Sequence, residues 1–217
     1  MSEAADEIVP GTILEGLPIF PLPNLVFFPR TMLPLHVFEP RYLAMTKDVL
    51  EGNGLMGVVR LPAGWEADYE GNPALSEVFG LGQIVRQDQD EEGRVHIFVR
   101  GIARARIVEE QPTDQLYRTV RAEILEEKPG ASAGQLATVR QLFASMLGRM
   151  EGADLESASV LFNADLPPAL LLDAIATAAP LPPELKQTLL DECDEAVRAD
   201  SLAELLAAWV MPGASLE

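Results

Sequence analysis

Cysteine occurs once, histidine twice and lysine three times in 217 residues, and each scarcity closes a route to function. A lone Cys193 permits no internal disulfide, and within an apparent helix it reads as a small buried hydrophobe rather than a reactive thiol. Lys47, Lys128 and Lys186 are not preceded by glycine or followed by serine or threonine, so the phosphate loop G-x-x-x-x-G-K-[ST] is missing. His36 and His96, with one cysteine and no H-E-x-x-H, do not make a zinc set. No serine stands in G-x-S-x-G, and both histidines belong to a different part of the chain from Cys193. No catalytic residue, metal or cofactor is therefore expected. No apolar run approaches the roughly 18 residues of a membrane span. The start, Met1-Ser2-Glu3-Ala4-Ala5-Asp6-Glu7, is acidic where a secretory leader is basic, which points to the cytoplasm and to no membrane partner. Leu216-Glu217 reads as the scar of an expression tag.

Positive charge is also scarce: 16 basic residues against 34 acidic ones give a formal net charge of -18 and a pI near 4.4. A surface that holds nucleic acid needs clustered Lys and Arg, because counterion release supplies most of the non-specific affinity. The best basic stretch, Arg86 to Arg121, carries as many acids as arginines. RNA binding is disfavoured on this ground.

What the chain does have is a change of character. Up to about residue 128 it is strand-like, and Lys128-Pro129-Gly130-Ala131-Ser132-Ala133-Gly134 separates this part from a helical one. The expected division is an acidic N-terminus over 1–16, a strand-rich unit over 17–128, a helical unit over 129–212 and a tail over 213–217. In Leu17-Pro18-Ile19-Phe20-Pro21-Leu22-Pro23 the prolines forbid a helix and predict an edge strand. Met32 to Phe38 is a second extended piece. Pro40 suits a first helical position, Glu39 stands beside the positive end of the helix dipole, and a helix is predicted over Pro40–Leu50. Strands are predicted at 55–61, 80–86, 94–100, 103–108 and 117–125, with a hairpin tip at 87–93 and a surface excursion at 62–79 that holds Trp65 and Tyr69. Gly80, Gly82 and Gly101 mark bends or bulges where a sheet curls towards a barrel. Beyond residue 134, apolar residues recur at spacings of three and four, and Pro167-Pro168, Pro182-Pro183 and a Ser201/Glu204 capping box punctuate four or five short helices.

The run Leu17-Pro18-Ile19-Phe20-Pro21-Leu22, the pair Phe28-Pro29 and the stretch Leu33-Pro34-Leu35-His36-Val37-Phe38-Glu39-Pro40-Arg41-Tyr42 together resemble the N-terminal, substrate-binding domain of the Lon proteases. Gly101-x-x-Arg104-x-Arg106-Ile107, Leu185-Lys186-Gln187 and Arg198-x-x-x-Leu202 follow in that family's order. The resemblance implies an α+β fold: a PUA-like pseudo-barrel of about six strands with one short helix, then a helical bundle. The chain resembles the short, stand-alone members that carry only this domain, without the ATPase and Ser/Lys peptidase, so a protease label would be inherited from longer relatives. The function it implies is non-catalytic protein binding, either of unfolded polypeptide or as an adaptor, with RNA binding through the barrel as the rival. The motif itself has two readings. In one, Pro18, Pro21, Pro29, Pro34 and Phe38 set extended structure, Glu39 caps the helix, and Arg41 pairs with an acid. In the other, exposed members, Phe27, Phe28, His36 and Tyr42, line an apolar surface for an extended partner. Arg104 and Arg106 are expected on a solvated face.

Overall fold

Proline placement shapes the first strand. A computed structural model describes residues 8–68, 72–90, 94–150, 159–162 and 165–211. The acidic start (1–7), Tyr69, the tip residues 91–93 and the tail fall outside them. The chain divides into two compact units, residues 1–126 and 127–217. The first holds six strands and one α-helix among the described residues: β1 (Ile13–Pro23), β2 (Met32–Val37), α1 (Pro40–Glu51), β3 (Leu55–Leu61), β4 (Val78–Gln89), β5 (Val95–Gln111) and β6 (Thr119–Ile124). Their order is β2-β5-β4-β3-β1-β6, and β5 also pairs with β6, which closes the sheet.

The expected edge strand β1 lies between two partners, a correction with a clear physical basis. Its first half pairs antiparallel with β6, from Ile13↔Glu123 to Pro18↔Thr119, and its second half pairs parallel with β3, from Ile19↔Gly57 to Pro23↔Leu61. The last bond towards β6 is the Ile19 N–H to the Arg118 carbonyl, 3.0 Å. Beyond it the β6 side of β1 is open, and Pro21 and Pro23 fall there. Proline is tolerated because it is an edge residue locally, not because the strand is an edge.

The two predicted strands at 94–100 and 103–108 are one strand, β5. Pairing with β4 continues through Gly101 with a bulge at Leu81/Gly82, so the glycines bend β5 without ending it. The first half of β5 carries β2 on its other side and the second half carries β6. Strand β3 is buried on both faces. Leu55 and Val59 join one apolar cluster with Ile19, Phe79, Leu81 and Val120, while Met56 and Val58 join another with Phe20, Phe27, Tyr42, Met45 and Ile97.

The second unit contains α2 (Ala133–Leu147), α3 (Pro168–Ala178), α4 (Pro183–Asp191) and α5 (Glu195–Val210). Ser132 and Gln135 cap α2 reciprocally: the Ser132 hydroxyl accepts from the Gln135 N–H at 3.2 Å, and the Gln135 side-chain oxygen accepts from the Ser132 N–H at 2.9 Å. The expected box at Ser201/Glu204 is corrected: Ser201 lies inside α5, whose N-cap is Asp194, accepting from Ala196 and Val197. Cys193 stands between α4 and α5, half-buried, rather than within a helix. Residues 127–130, linker-like in composition, are tied to the start of α5 by a Lys128↔Asp194 bridge and by the Gly130 N–H donating to the Glu195 carboxylate at 3.0 Å.

Candidate functional site

A helix that starts with proline beside a strand that ends with proline leaves a groove in the first unit. Its volume is about 680 Å³, and its walls are Pro21, Leu22 and Pro23 of β1, Glu39, Arg41 and Tyr42 at the start of α1, Leu61 and Trp65 after β3, and Pro73, Leu116, Tyr117 and Arg118 from the connections that lead into β4 and β6. Glu66 and Asn72 complete the lining, so an apolar surface is interspersed with the charged side chains Glu39, Arg41, Glu66 and Arg118. Leu116 is 68% exposed, an unsatisfied apolar side chain at the rim.

Local chemistry fixes each wall. The Tyr42 ring stacks on Phe20, centroids 4.0 Å apart, and its other face carries the Arg41 guanidinium at 4.8 Å. Its hydroxyl reaches the Pro21 carbonyl at 3.5 Å. The Arg41 guanidinium is also held by Glu39 at 2.8 Å. Glu39 does occupy the N-cap position of α1, but its carboxylate makes no capping bond; its carbonyl accepts from Tyr42 and Leu43 while its side chain serves Arg41. Tyr117 donates to Asp48 of α1 at 2.8 Å, and burial, reinforced by that carboxylate, pushes its phenol up to about 12. Arg118 forks onto Glu110, 3.0 and 2.6 Å, and donates to the Pro73 carbonyl at 2.8 Å, which anchors the loop opposite α1.

Of the residues expected on a binding surface, Tyr42 lines the groove, showing only its edge because both faces are occupied. Phe27 and Phe28 do not: both are buried, and the reason is glycine downstream. A Cβ on Gly80 would meet the Phe27 carbonyl oxygen at 2.2 Å, one on Gly82 the Phe27 ring at 2.9 Å, and one on Gly101 the Phe28 carbonyl oxygen at 2.5 Å. The segment sinks into the space those missing side chains leave. His36 is exposed, but it sits on β2 opposite His96, rings edge to face at 4.3 Å, and is not part of the groove. Phe38 is exposed as well, at 71%, and lies apart from the groove walls, as do Pro29 and Pro34. Sequence reading did not assign Trp65, Leu116, Tyr117 or Arg118 to a binding surface, although Tyr117-Arg118-x-x-x-Ala122-Glu123 follows the same family's order and Leu116 stands beside it.

Several arginines of the first unit are paired with acids. Arg86 pairs with Asp88, Arg94 with Asp90, Arg118 with Glu110, and Arg121 with Glu15. The hydrogen bond from Arg94 holds the Asp90 carboxyl well below the usual carboxylate range. Arg104, expected on a solvated face with Arg106, is fully buried, whereas Arg106 is exposed. Among the described residues no group of three or more His, Cys, Asp or Glu is placed to hold a metal ion, and no helix is long and apolar enough to cross a membrane.

A closed six-stranded sheet followed by helices defines a class of α+β domain found at the N-terminus of Lon proteases. The fold matches the N-terminal domain of Mycobacterium avium complex Lon protease with a TM-score of 0.67 at 16% identity, over 92% of this chain and 100% of that one. It also matches a Lon N-terminal domain protein from Xanthomonas campestris with a TM-score of 0.62 at 23% identity, over 89% and 98% of the two chains. Residues 16–208 match the ATP-dependent protease La (LON) substrate-binding domain, and the chain belongs to that family. Lon protease 2 of Myxococcus xanthus is 30% identical over 204 residues, which are 89% of this chain and 24% of that protein. Lon protease of Desulfosudis oleivorans is 24% identical over 194 residues, 88% of this chain and 24% of its own length. The chain thus spans about a quarter of these relatives, the part that corresponds to the substrate-binding domain.

Proposed function

We propose that this chain is a non-catalytic polypeptide-recognition module, and that the groove beside Pro21, Tyr42 and Trp65 holds an extended, exposed apolar segment of its substrate. The observation that carries this reading is convergence. Residues of the family-like motif that are far apart in sequence, Pro21 to Pro23 and Glu39 to Tyr42, meet on one groove with Trp65 and the exposed Leu116. Concave, mostly apolar surfaces with a few placed polar groups are where ligands are held. RNA gains little support, since the net charge is -18 and Arg41, Arg86, Arg94, Arg118 and Arg121 of the barrel unit are each paired with an acid.

The test is a fluorescence-anisotropy titration of a labelled, permanently unfolded polypeptide, with labelled single-stranded RNA in parallel and no ATP. Saturable binding of the polypeptide at about micromolar Kd, near -8 kcal/mol, weakened about tenfold by Trp65→Ala with Leu116→Ser, is the expected result. Binding that those substitutions leave untouched would move the site elsewhere. Binding of RNA alone would replace the reading, and binding of neither would leave the adaptor role, for a folded partner, in its place.

A further inference from the structure

Both histidines of the chain meet on the outside of the barrel unit, away from the groove. Side chains alternate along β2, where Leu35 and Val37 are buried and His36 between them is exposed. On β5, Ile97 is buried and its neighbour His96 turns outwards, with 27% of its side chain exposed. The register sets His36 directly opposite His96, and residues directly opposite in an antiparallel pair share a face. Their rings stand edge to face, centroids 4.3 Å apart and planes at 73°.

The hydrogen bonds around this pair decide which nitrogen is free. Nε2 of His96 lies 3.2 Å from a carboxylate oxygen of Asp90, which also accepts from the Arg94 N–H and guanidinium at 2.8 Å each. An ionised carboxylate only accepts, so Nε2 carries the ring proton and Nδ1 keeps its lone pair. A carboxylate placed in this way orients a metal-binding imidazole and raises its basicity. His36, being exposed, can turn either nitrogen to the same point.

The spacing then discriminates among ions. A nitrogen bound at about 2.0–2.1 Å places the ion about 3.2 Å from the ring centre, so two rings on one ion have centres about 4.5 Å apart at a right angle and about 5.1 Å apart at the tetrahedral angle. The separation of 4.3 Å matches the right angle. We infer that His36 and His96 form a bidentate site for a divalent transition ion of right-angled coordination, the Cu²⁺ and Ni²⁺ class, with Asp90 as its orienting carboxylate and water in the remaining positions. Two protein ligands make an exchangeable site, unlike the four-ligand closure of a structural zinc. Among the described residues β2 ends the strand order and pairs with β5 alone, so an ion held here clamps that strand to its neighbour.

The experiment titrates the full chain with Ni²⁺ by calorimetry, in a Cys193→Ser background and with excess Mg²⁺ to occupy surface carboxylates. One ion is expected at a Kd on the order of 10 µM, and Cu²⁺ should bind more tightly. The Cu²⁺ electron paramagnetic resonance spectrum should carry the couplings of two imidazole nitrogens, which only His36 and His96 can supply. His36→Asn, at an exposed position that the fold does not need, should abolish the calorimetric signal, and Asp90→Asn should weaken it about tenfold. A single nitrogen in the spectrum, or Ni²⁺ binding that survives His36→Asn, would overturn the site. An unchanged Kd in Asp90→Asn would remove the orienting role from Asp90. Amide exchange in β2 should slow when Ni²⁺ is bound, and exchange that does not respond would remove the clamp.

Discussion

Gly80 has no room for a side chain, and the burial of Phe27 depends on that. A methyl group there would stand 2.2 Å from a backbone oxygen, which no rotamer change relieves. Gly80→Ala is expected to lower stability by about 3 kcal/mol, seen as a fall in the urea midpoint with an unchanged slope. Gly130→Ala is the control, because nothing lies within 4 Å of the added carbon, and its midpoint should stay near the wild type's. Tyr117 supports a second prediction at this scale. Its folded value near 12 lies above the ordinary 10.0, so the folded chain keeps the proton longer than the unfolded one. The contribution is complete below pH 10 and is lost as the pH rises towards 12. Tyr117→Phe should therefore show a shallower alkaline loss of stability than the wild type across that window, measured by denaturant titration at each pH; parallel profiles would show that the phenol is not coupled to folding.

Among the elements, the helical unit turns on α5. Arg198, 1% exposed, donates to the Glu192 carbonyl and to Glu127 and lies 3.8 Å from the fully buried Asp173 of α3. It ties α5 to α3 and to the first residues of the unit. Arg198→Ala removes the cation beside two carboxylates and should cost about 3–5 kcal/mol, visible as faster amide exchange in α3 and α5. Ser132→Ala at the start of α2 should cost about 1 kcal/mol by comparison. These elements differed in how far they could be read beforehand. Helices that begin at Pro40, Pro168 and Pro183 were legible because proline at a first helical position is a local signal. The α5 start was misplaced because Ser201/Glu204 has the spacing of a capping box, although the chain before it was already helical. Strand β5 read as two pieces because a glycine bulge and a strand end look alike in one dimension. The groove was half legible for the same reason. Glu39, Arg41 and Tyr42 belong to a contiguous motif, whereas Trp65 and Leu116 are brought to the groove by the tertiary fold, and the burial of Phe27, in the β1–β2 connection, depends on Gly80 of β4.

For the whole molecule, a net charge of -18 means self-repulsion in any compact state. Salt should relieve it: raising ionic strength from about 0.01 M to about 0.15 M shortens the screening length from about 30 Å to about 8 Å, and the thermal midpoint should rise. A fall would mean that the ion pairs on the barrel outweigh the excess of acid. The pairing of β1 with β6 reaches further still. Ile13 meets Glu123, so during synthesis the first strand leaves the ribosome long before one of its partners exists. At about 5–20 residues per second, the roughly 100 residues between them take on the order of 5–20 seconds to appear. Through that wait β1 is an exposed apolar segment, and Pro18, Pro21 and Pro23 deny it the regular bonding by which nascent chains on neighbouring ribosomes would capture one another. The prolines that shape the groove in the finished protein therefore also guard the chain while it is being made.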